Sequence, residues 1–258
     1  MTEDKVTELL TAAQMRAIEQ VAIESGQVTG LELMERAGKG VVEALLAHWP
    51  NLKTGPGRTD TGERLRRAVI ACGPGNNGGD GFVIARLLAE LDWDILISLY
   101  GNPESLPPDA RASYDRWLPH GEVICLSDYD SPHSWFADAT ALPNNIFVDA
   151  LFGTGMTRPV EPDLVPLVGY IAEKRRGSFS QIVAVDVPTG LHSDTGVILG
   201  HNSDDEALME MRDTGRSFMG FRAIPADLTV TFHRARQGHV RGHGPWMCGT
   251  LVIRDIGL

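Results

Sequence analysis

The stretch Gly73-Pro74-Gly75-Asn76-Asn77-Gly78-Gly79-Asp80-Gly81 separates an apolar run, Ala68–Cys72, from a run with helical spacing, Phe82–Leu91. Its five glycines in nine residues carry a large ordering cost, because glycine loses more backbone freedom on folding than any other residue. A chain keeps such a loop where a strand must turn sharply into a helix, or where backbone lies close to something bound. The amides of the loop suit an anion at a helix start. Two familiar phosphate loops can be tested against it. The Walker loop ends in Lys followed by Ser or Thr, and Asp80-Gly81 stand there instead, which excludes it. Gly73, Gly75 and Gly78 formally match the dinucleotide fingerprint, which also needs an acid after the second strand to hold a ribose. The run Asp94–Tyr100 leads into Gly101-Asn102-Pro103, with Glu104 a poor candidate, and Asp80 sets a negative charge where a pyrophosphate would lie. A plainer reading stays open, in which the loop is a tight turn with Asp80 as helix N-cap.

Around this loop the pattern is one of alternation. Apolar runs occupy 68–72, 94–100, 122–126, 145–149, 181–185 and 227–232, with helical candidates near 81–91, 109–118, 131–139 and 160–175 between them, and Thr250–Arg254 reads as a last edge strand. This predicts an α/β fold with a mostly parallel sheet covered on both faces. Two helices precede it. Thr11 with Gln14, and Thr29 with Glu32, are capping boxes. The first helix carries Met15, Ile18 and Ala22; the second carries Leu33, Met34, Ala37, Val41, Ala44 and Leu45 at core spacing and is closed by Pro50. Residues 51–66 read as a polar loop. Residues 201–221 interrupt the path to the last strands and read as a surface excursion. With 258 residues, 43% of them hydrophobic, the chain can bury one large core, and one domain over 1–258 is expected.

The net charge of -11, without a basic stripe, disfavours nucleic acid as a partner. Cys72, Cys125 and Cys248 are widely spaced, which points to reduced thiols rather than a metal site or disulfide framework. The polar start and the lack of a long apolar run make a cytoplasmic location, away from membranes, the default expectation.

Three loops follow three predicted strands: 73–81 after the first, Asp149-Ala150-Leu151-Phe152-Gly153-Thr154-Gly155 after 145–148, and Asp186-Val187-Pro188-Thr189-Gly190 after 181–185. In an open α/β sheet ligands sit outside the carboxyl ends of the strands, so these loops should meet at one crevice. No Gly-x-Ser-x-Gly elbow occurs. His192, His201, His233, His239 and His243 have no transition-metal spacing, and His192 is open to two readings, a proton donor or a polar surface residue. Oxygen donors dominate instead: Asn76, Asn77, Asp80, Asp149, Thr154, Asp186 and Thr189. Such a set suits a hard cation, or acid/base work on a hydroxylated substrate. Asp149 and Asp186 could each also merely cap a turn.

Taken together, Ala13–Glu19, Leu33–Gly38, Gly73–Gly81, Asp149–Gly155, Val185–Gly190, Ala226–Phe232 and Asp255–Leu258 resemble the NAD(P)H-hydrate epimerase family, the N-terminal domain type of YjeF proteins. The resemblance implies a Rossmann-like three-layer αβα sandwich, usually dimeric. It implies interconversion of the R and S forms of hydrated NADH and NADPH (NADHX and NADPHX), which carry a hydroxyl on C6 of the nicotinamide ring, beside an ADP- or ATP-dependent dehydratase on a separate chain or a further domain. By the resemblance, Asn76, Asn77, Gly78, Gly79 and Asp80, with Gly153, Thr154, Gly155, Met156, Thr157, Arg158 and Pro159, would bind the hydrate, and Asp186 would contact it. A potassium ion would be held by Asn77, Asp149 and Thr189. Asp186 is the first choice for the catalytic acid/base, and nearby carboxylates would steady a cationic ring.

The chain departs from the family pattern at three places. Thr189 stands where Ser is usual, which keeps the hydroxyl. Arg236 and Gln237 precede Gly238-His239 where Lys and Pro are usual; Arg cannot donate a proton near neutral pH, though it can bind phosphate. The 201–221 excursion is longer than the usual connection. Two competing functions are a non-catalytic Rossmann-like interaction scaffold, which would be expected to lose the Asn/Asp site, and another NAD(P)-binding enzyme using the glycine loop conventionally.

Overall fold

The computed structural model describes residues 8–54, 58–62, 65–126, 145–174, 181–202, 206–214 and 220–258. Both capping boxes form. Thr11 Oγ accepts from the Gln14 amide at 3.2 Å, and the Gln14 side chain accepts from the Thr11 amide at 2.8 Å, opening α1 (Ala12–Glu24). Thr29 and Glu32 do the same at the start of α2 (Gly30–His48). Each box satisfies two amide donors that a bare helix end leaves orphaned. The expected stripe of α2 is buried. The polar loop expected over 51–66 is wrong at its start, because Pro50–Thr54 forms a short helix, α3. Leu52, an apolar residue in a polar stretch, drops into the core there and is 2% exposed.

Strands β1 (Arg67–Cys72), β2 (Asp94–Leu99), β3 (Ile124–Cys125), β4 (Asn145–Ala150), β5 (Gln181–Val185), β6 (Leu228–Phe232) and β7 (Thr250–Arg254) form a sheet in the order β3-β2-β1-β4-β5-β6-β7. Every neighbouring pair is parallel. β3 is shorter than the run at 122–126, since only Ile124 and Cys125 pair with β2. The strands alternate cleanly between two cores, as the period of two demands. Ala68, Ile70 and Cys72 of β1 pack with α2, α4 (Asn76–Glu90) and α5 (Pro108–Trp117), while Val69 and Ala71 pack with Leu167, Val168 and Ile171 of α6 (Val165–Lys174). The result is the three-layer αβα sandwich, its strand order reversing between β1 and β4.

The helix after β1 begins at Asn76 with Gly75 at its N-cap position, several residues earlier than expected. Asp80 therefore lies inside the helix and is not its N-cap. Glycines in a helix destabilise it by about 1 kcal/mol each, and here close packing offsets that. A Cβ on Gly79 would strike the Met34 thioether, and one on Gly81 would meet Cys72 Sγ and Ala150 Cβ. α6 likewise starts at Val165 rather than near 160, after a turn. The helix expected over 131–139 lies outside the described residues.

The 201–221 excursion is more anchored than expected. It holds a helix, α7 (Glu206–Thr214), and Leu208 and Phe221 are buried with Val187, Leu191, Ile198 and Met247 in a third cluster. Two short helices, α8 (Gln237–Val240) and α9 (Gly244–Met247), precede β7. Among the described residues none of the three cysteines forms a disulfide. Among the described residues no helix is long and apolar enough to cross a membrane.

Candidate functional site

β1, β4 and β5 are neighbours in the sheet, so the loops at their carboxyl ends meet at the point where the strand order reverses. They wall a crevice of about 890 Å³. Asn76, Asn77 and Asp80 line it from the start of α4, the segment Gly153, Thr154, Gly155, Met156, Thr157, Arg158 and Pro159 lines it from the loop after β4, and Asp186 lines it from the loop after β5. Gly78 and Gly79 do not line it. Both are buried under the turn, where a side chain on Gly78 would strike the Gly73 carbonyl. Asp149 and Thr189 lie behind the crevice wall and are 0% exposed.

Asp186 is held from every side. Its backbone sits in the left-handed region, with φ of 63°, a conformation Asp tolerates better than most residues. One carboxylate oxygen accepts from Thr231 Oγ at 2.9 Å and Arg236 Nη2 at 3.4 Å. The other accepts from the Thr154 amide at 3.0 Å and from the Thr154 hydroxyl. Burial alone would push this carboxyl up, but the Arg236 guanidinium and the Thr154 donors outweigh it and hold the pKa below its ordinary value. Asp186 is an anion that stays an anion.

Arg236 does not reach outward to a phosphate. It is 1% exposed, and its Nη1 donates to the Arg234 and Phe232 carbonyls while Nη2 pairs with Asp186. A parallel bridge between Leu10 and Arg236 ties this segment to the chain leading into α1. His239, buried beside it, accepts the Arg236 amide at Nδ1, 3.0 Å away, which leaves the proton on Nε2 to be donated to the Asp186 carbonyl at 2.9 Å. Burial drives the His239 pKa down to about 4, so the ring is neutral and acts as a strut for the Asp186 backbone.

Asp80 is the opposite case. Its carboxyl accepts no hydrogen bond among the described residues. Burial pushes its pKa well above the ordinary value, and the negative charges of Asp186 and Glu19 push it further. Glu19 moves up as well, through burial and Asp186, against the pull of Arg236 and Arg16.

Behind the wall, Thr189 donates to Asp149 twice, from its hydroxyl at 2.7 Å and its amide at 2.8 Å, and the Leu151 amide adds a longer bond of 3.3 Å. Burial nonetheless raises the Asp149 pKa to about 6, and among the described residues no cationic side chain offsets its charge. Asn77 Nδ2 is buried without a partner among the described residues. A Cβ on Gly153 would lie 2.9 Å from Asn77 Oδ1 and 3.0 Å from Asp186 Oδ2, so both side chains close on this glycine. The Asp149 carboxylate and Thr189 hydroxyl, with the Asn77 amide on the crevice side, are oxygen donors of the kind a hard cation takes. No cluster of His, Cys, Asp and Glu suited to a metal occurs among the described residues.

These loops also carry a lineage. The family model described as YjeF-related protein N-terminus matches residues 30–238. The chain belongs to this family. A protein of Roseobacter litoralis named NAD(P)H-hydrate epimerase is 41% identical over 97% of this chain and 99% of its own length. One of the same name from Rhodobacter capsulatus is 38% identical over 98% of this chain and 100% of its own. A protein of Salinibacter ruber named bifunctional NAD(P)H-hydrate repair enzyme Nnr is 32% identical over 97% of this chain, which spans 41% of that longer protein. The crystal structure of yeast ynu0 shares the fold, with a TM-score of 0.68 at 20% identity, covering 90% of this chain and 83% of that one.

Part of this YjeF-type crevice comes from outside the matched span. Ala12, Met15, Arg16 and Glu19 of α1 line it, at i, i+3, i+4 and i+7 of one helical face. The Ala12 amide donates to Asp194 at 2.7 Å, which pins the helix over the site. Sequence reasoning sorted α1 only by its apolar residues and so passed over Glu19. It also passed over Thr231 and the strut role of His239. His192, open to two readings, turns out to serve its own turn, accepting from the Thr195 amide at Nδ1, and it does not line the crevice.

Proposed function

We propose that this chain is an NAD(P)H-hydrate epimerase, which interconverts the R and S forms of hydrated NADH and NADPH at C6 of the nicotinamide ring. The names carried by its near-full-length relatives support this, and the observation that carries it in the site is Asp186. Loss of water from C6 leaves a ring in which the nitrogen shares a positive charge. A buried carboxylate kept ionised by Arg236, Thr154 and Thr231 is a preorganised counter-charge for that state, and such groups are worth most where charge develops. Water returning to the opposite face of the ring inverts the centre, and no oxidant or reductant is consumed.

In this proposal Asn76, Asn77, Asp80 and the 153–159 segment hold the nucleotide against Asp186, the catalytic anion. Gly78 and Gly79 act indirectly, by letting α4 pack close enough to present its first turn. Asn77, Asp149 and Thr189 would hold a potassium ion, whose positive charge would offset the buried Asp149 and stiffen the Phe152–Gly153 backbone beside it. Glu104, the weak candidate for a ribose acid, is taken up by Arg111 at 3.0 Å, which speaks against conventional dinucleotide binding. The retained acids speak against a scaffold without activity. The joined relatives named as bifunctional repair enzymes support a dehydratase as functional partner. A homodimer in the cytoplasm completes the proposal.

The test is to supply purified R-hydrate with an S-specific dehydratase, ATP or ADP and potassium, with and without this protein. NADH should reappear faster when it is present. Recovery at the spontaneous rate overturns the proposed function.

A further inference from the structure

The two aspartates that face the crevice differ in a way their shared side chain does not suggest. Asp186 spends its oxygens on Thr154, Thr231 and Arg236. A carboxylate already accepting from four donors is a poor carrier of protons, since each donor must be given up or weakened when a proton arrives. Asp80 lines the same crevice from the second turn of α4 with no donor on its carboxyl among the described residues. Two other carboxyls, Glu19 and Asp186, line the same crevice, and their negative charges act on Asp80. Such an environment favours the neutral acid, and a neutral acid can give a proton away.

We infer that Asp80, and not Asp186, carries the proton of the reaction, while Asp186 serves as the fixed counter-charge; this rests on the epimerase reading. Asp80 donates its proton to the C6 hydroxyl. The C6–O bond breaks with its electron pair leaving on water, and the ring-nitrogen lone pair forms the C6–N double bond, giving a cation beside Asp186. A water adds to C6 from the other face, the C6–N double bond returns its pair to nitrogen, and the surplus proton passes back through solvent in the open crevice to the Asp80 carboxylate. Atoms and charge balance over the cycle, and the division of labour follows the pattern in which environment sets two like carboxyls to different tasks.

Chemical rescue separates the two roles. Asp80→Ala removes a carboxyl and leaves room for formate, so the full-length variant should lose about 100-fold or more in epimerisation rate and regain part of it when formate is added. Its affinity for the hydrates, measured by calorimetry, should fall far less than its rate, since proton transfer is made only in the transition state. Asp186→Ala should be slow with and without formate. The isosteric Asp80→Asn, which preserves packing, should be as slow as Asp80→Ala and guards against a folding defect. A near-parental rate for either Asp80 variant overturns the assignment, as does rescue of Asp186→Ala in place of Asp80→Ala, or of neither. A parent protein that fails to epimerise sinks the proposed function instead, so the two failures are told apart by the parent's own rate.

Discussion

Replacing Arg236 by Met should destabilise the fold by an amount that depends on pH, and the dependence tests whether Asp186 is a held anion. The pair is deeply placed: Arg236 is 1% and Asp186 9% exposed, with 3.4 Å between Nη2 and Oδ1. Removing one partner of a buried pair costs about 3–5 kcal/mol. Asp186 keeps its two Thr154 donors and Thr231, and the unpartnered Arg236 Nε goes with the side chain, so about 2–3 kcal/mol is expected at pH 8. In the parent, the folded Asp186 pKa lies below its unfolded value. Its contribution to stability is therefore present above the unfolded pKa and disappears as pH falls through the folded one. In the variant, burial is no longer outweighed and the folded pKa rises above the unfolded value. That contribution then has the opposite sign, present at low pH and lost as pH rises. The gap between the two proteins should thus be smaller near pH 4.5 and widen toward pH 8. Glu19, which Arg236 also pulls down, adds in the same direction. Urea unfolding at several pH values, with equal m-values, measures it. A gap that is flat across that range, or below about 1 kcal/mol at pH 8, would refute the reasoning and reduce Arg236 to a packing residue.

Other consequences can be measured with the same protein. Gly153→Ala would push on Asn77 and Asp186, 2.9 and 3.0 Å from the new Cβ; epimerisation should fall about 100-fold, with a change in unfolding free energy of less than about 2 kcal/mol. Gly73→Ala drives a methyl group into the Leu151 carbonyl at the β1–β4 junction, and should lower stability by more than about 3 kcal/mol in a urea melt. Thr11→Ala removes one capping box and should cost about 1 kcal/mol, or about 2–4 °C in melting temperature. Asp149, with its folded pKa raised to about 6, lends stability when protonated and withdraws roughly 3 kcal/mol as pH rises through that value. Potassium should therefore raise the melting temperature at pH 8 and have little effect at pH 5, where an equal effect at both would count against Asn77, Asp149 and Thr189 as its holders.

What the sequence made legible was whatever is written locally. Capping boxes join residues three apart, strands are short runs of one character, and a loop between a strand and a helix must emerge at a carboxyl end. From these, the αβα layering and the meeting of the 73–81, 149–155 and 186–190 loops followed. Helix starts were less legible, because α4 takes glycines that propensity assigns to a loop, and only the contact with Met34 and Cys72 explains their place in a helix. The division between Asp80 and Asp186 was not legible at all. Both are aspartates after a predicted strand, and one-dimensional reasoning gave the chemical work to Asp186. Their difference arises from donors that arrive from far along the chain: Thr231 and Arg236 reach Asp186 across about 45–50 residues, while no described residue donates to the Asp80 carboxyl. Residue type states what a group can do, and its hydrogen-bond partners decide which protonation state it lives in. A site with two or more carboxyls is therefore read by asking which of them is bonded and which is bare, and that question is what assigns the proton to Asp80 and the fixed charge to Asp186 in the inferred reaction.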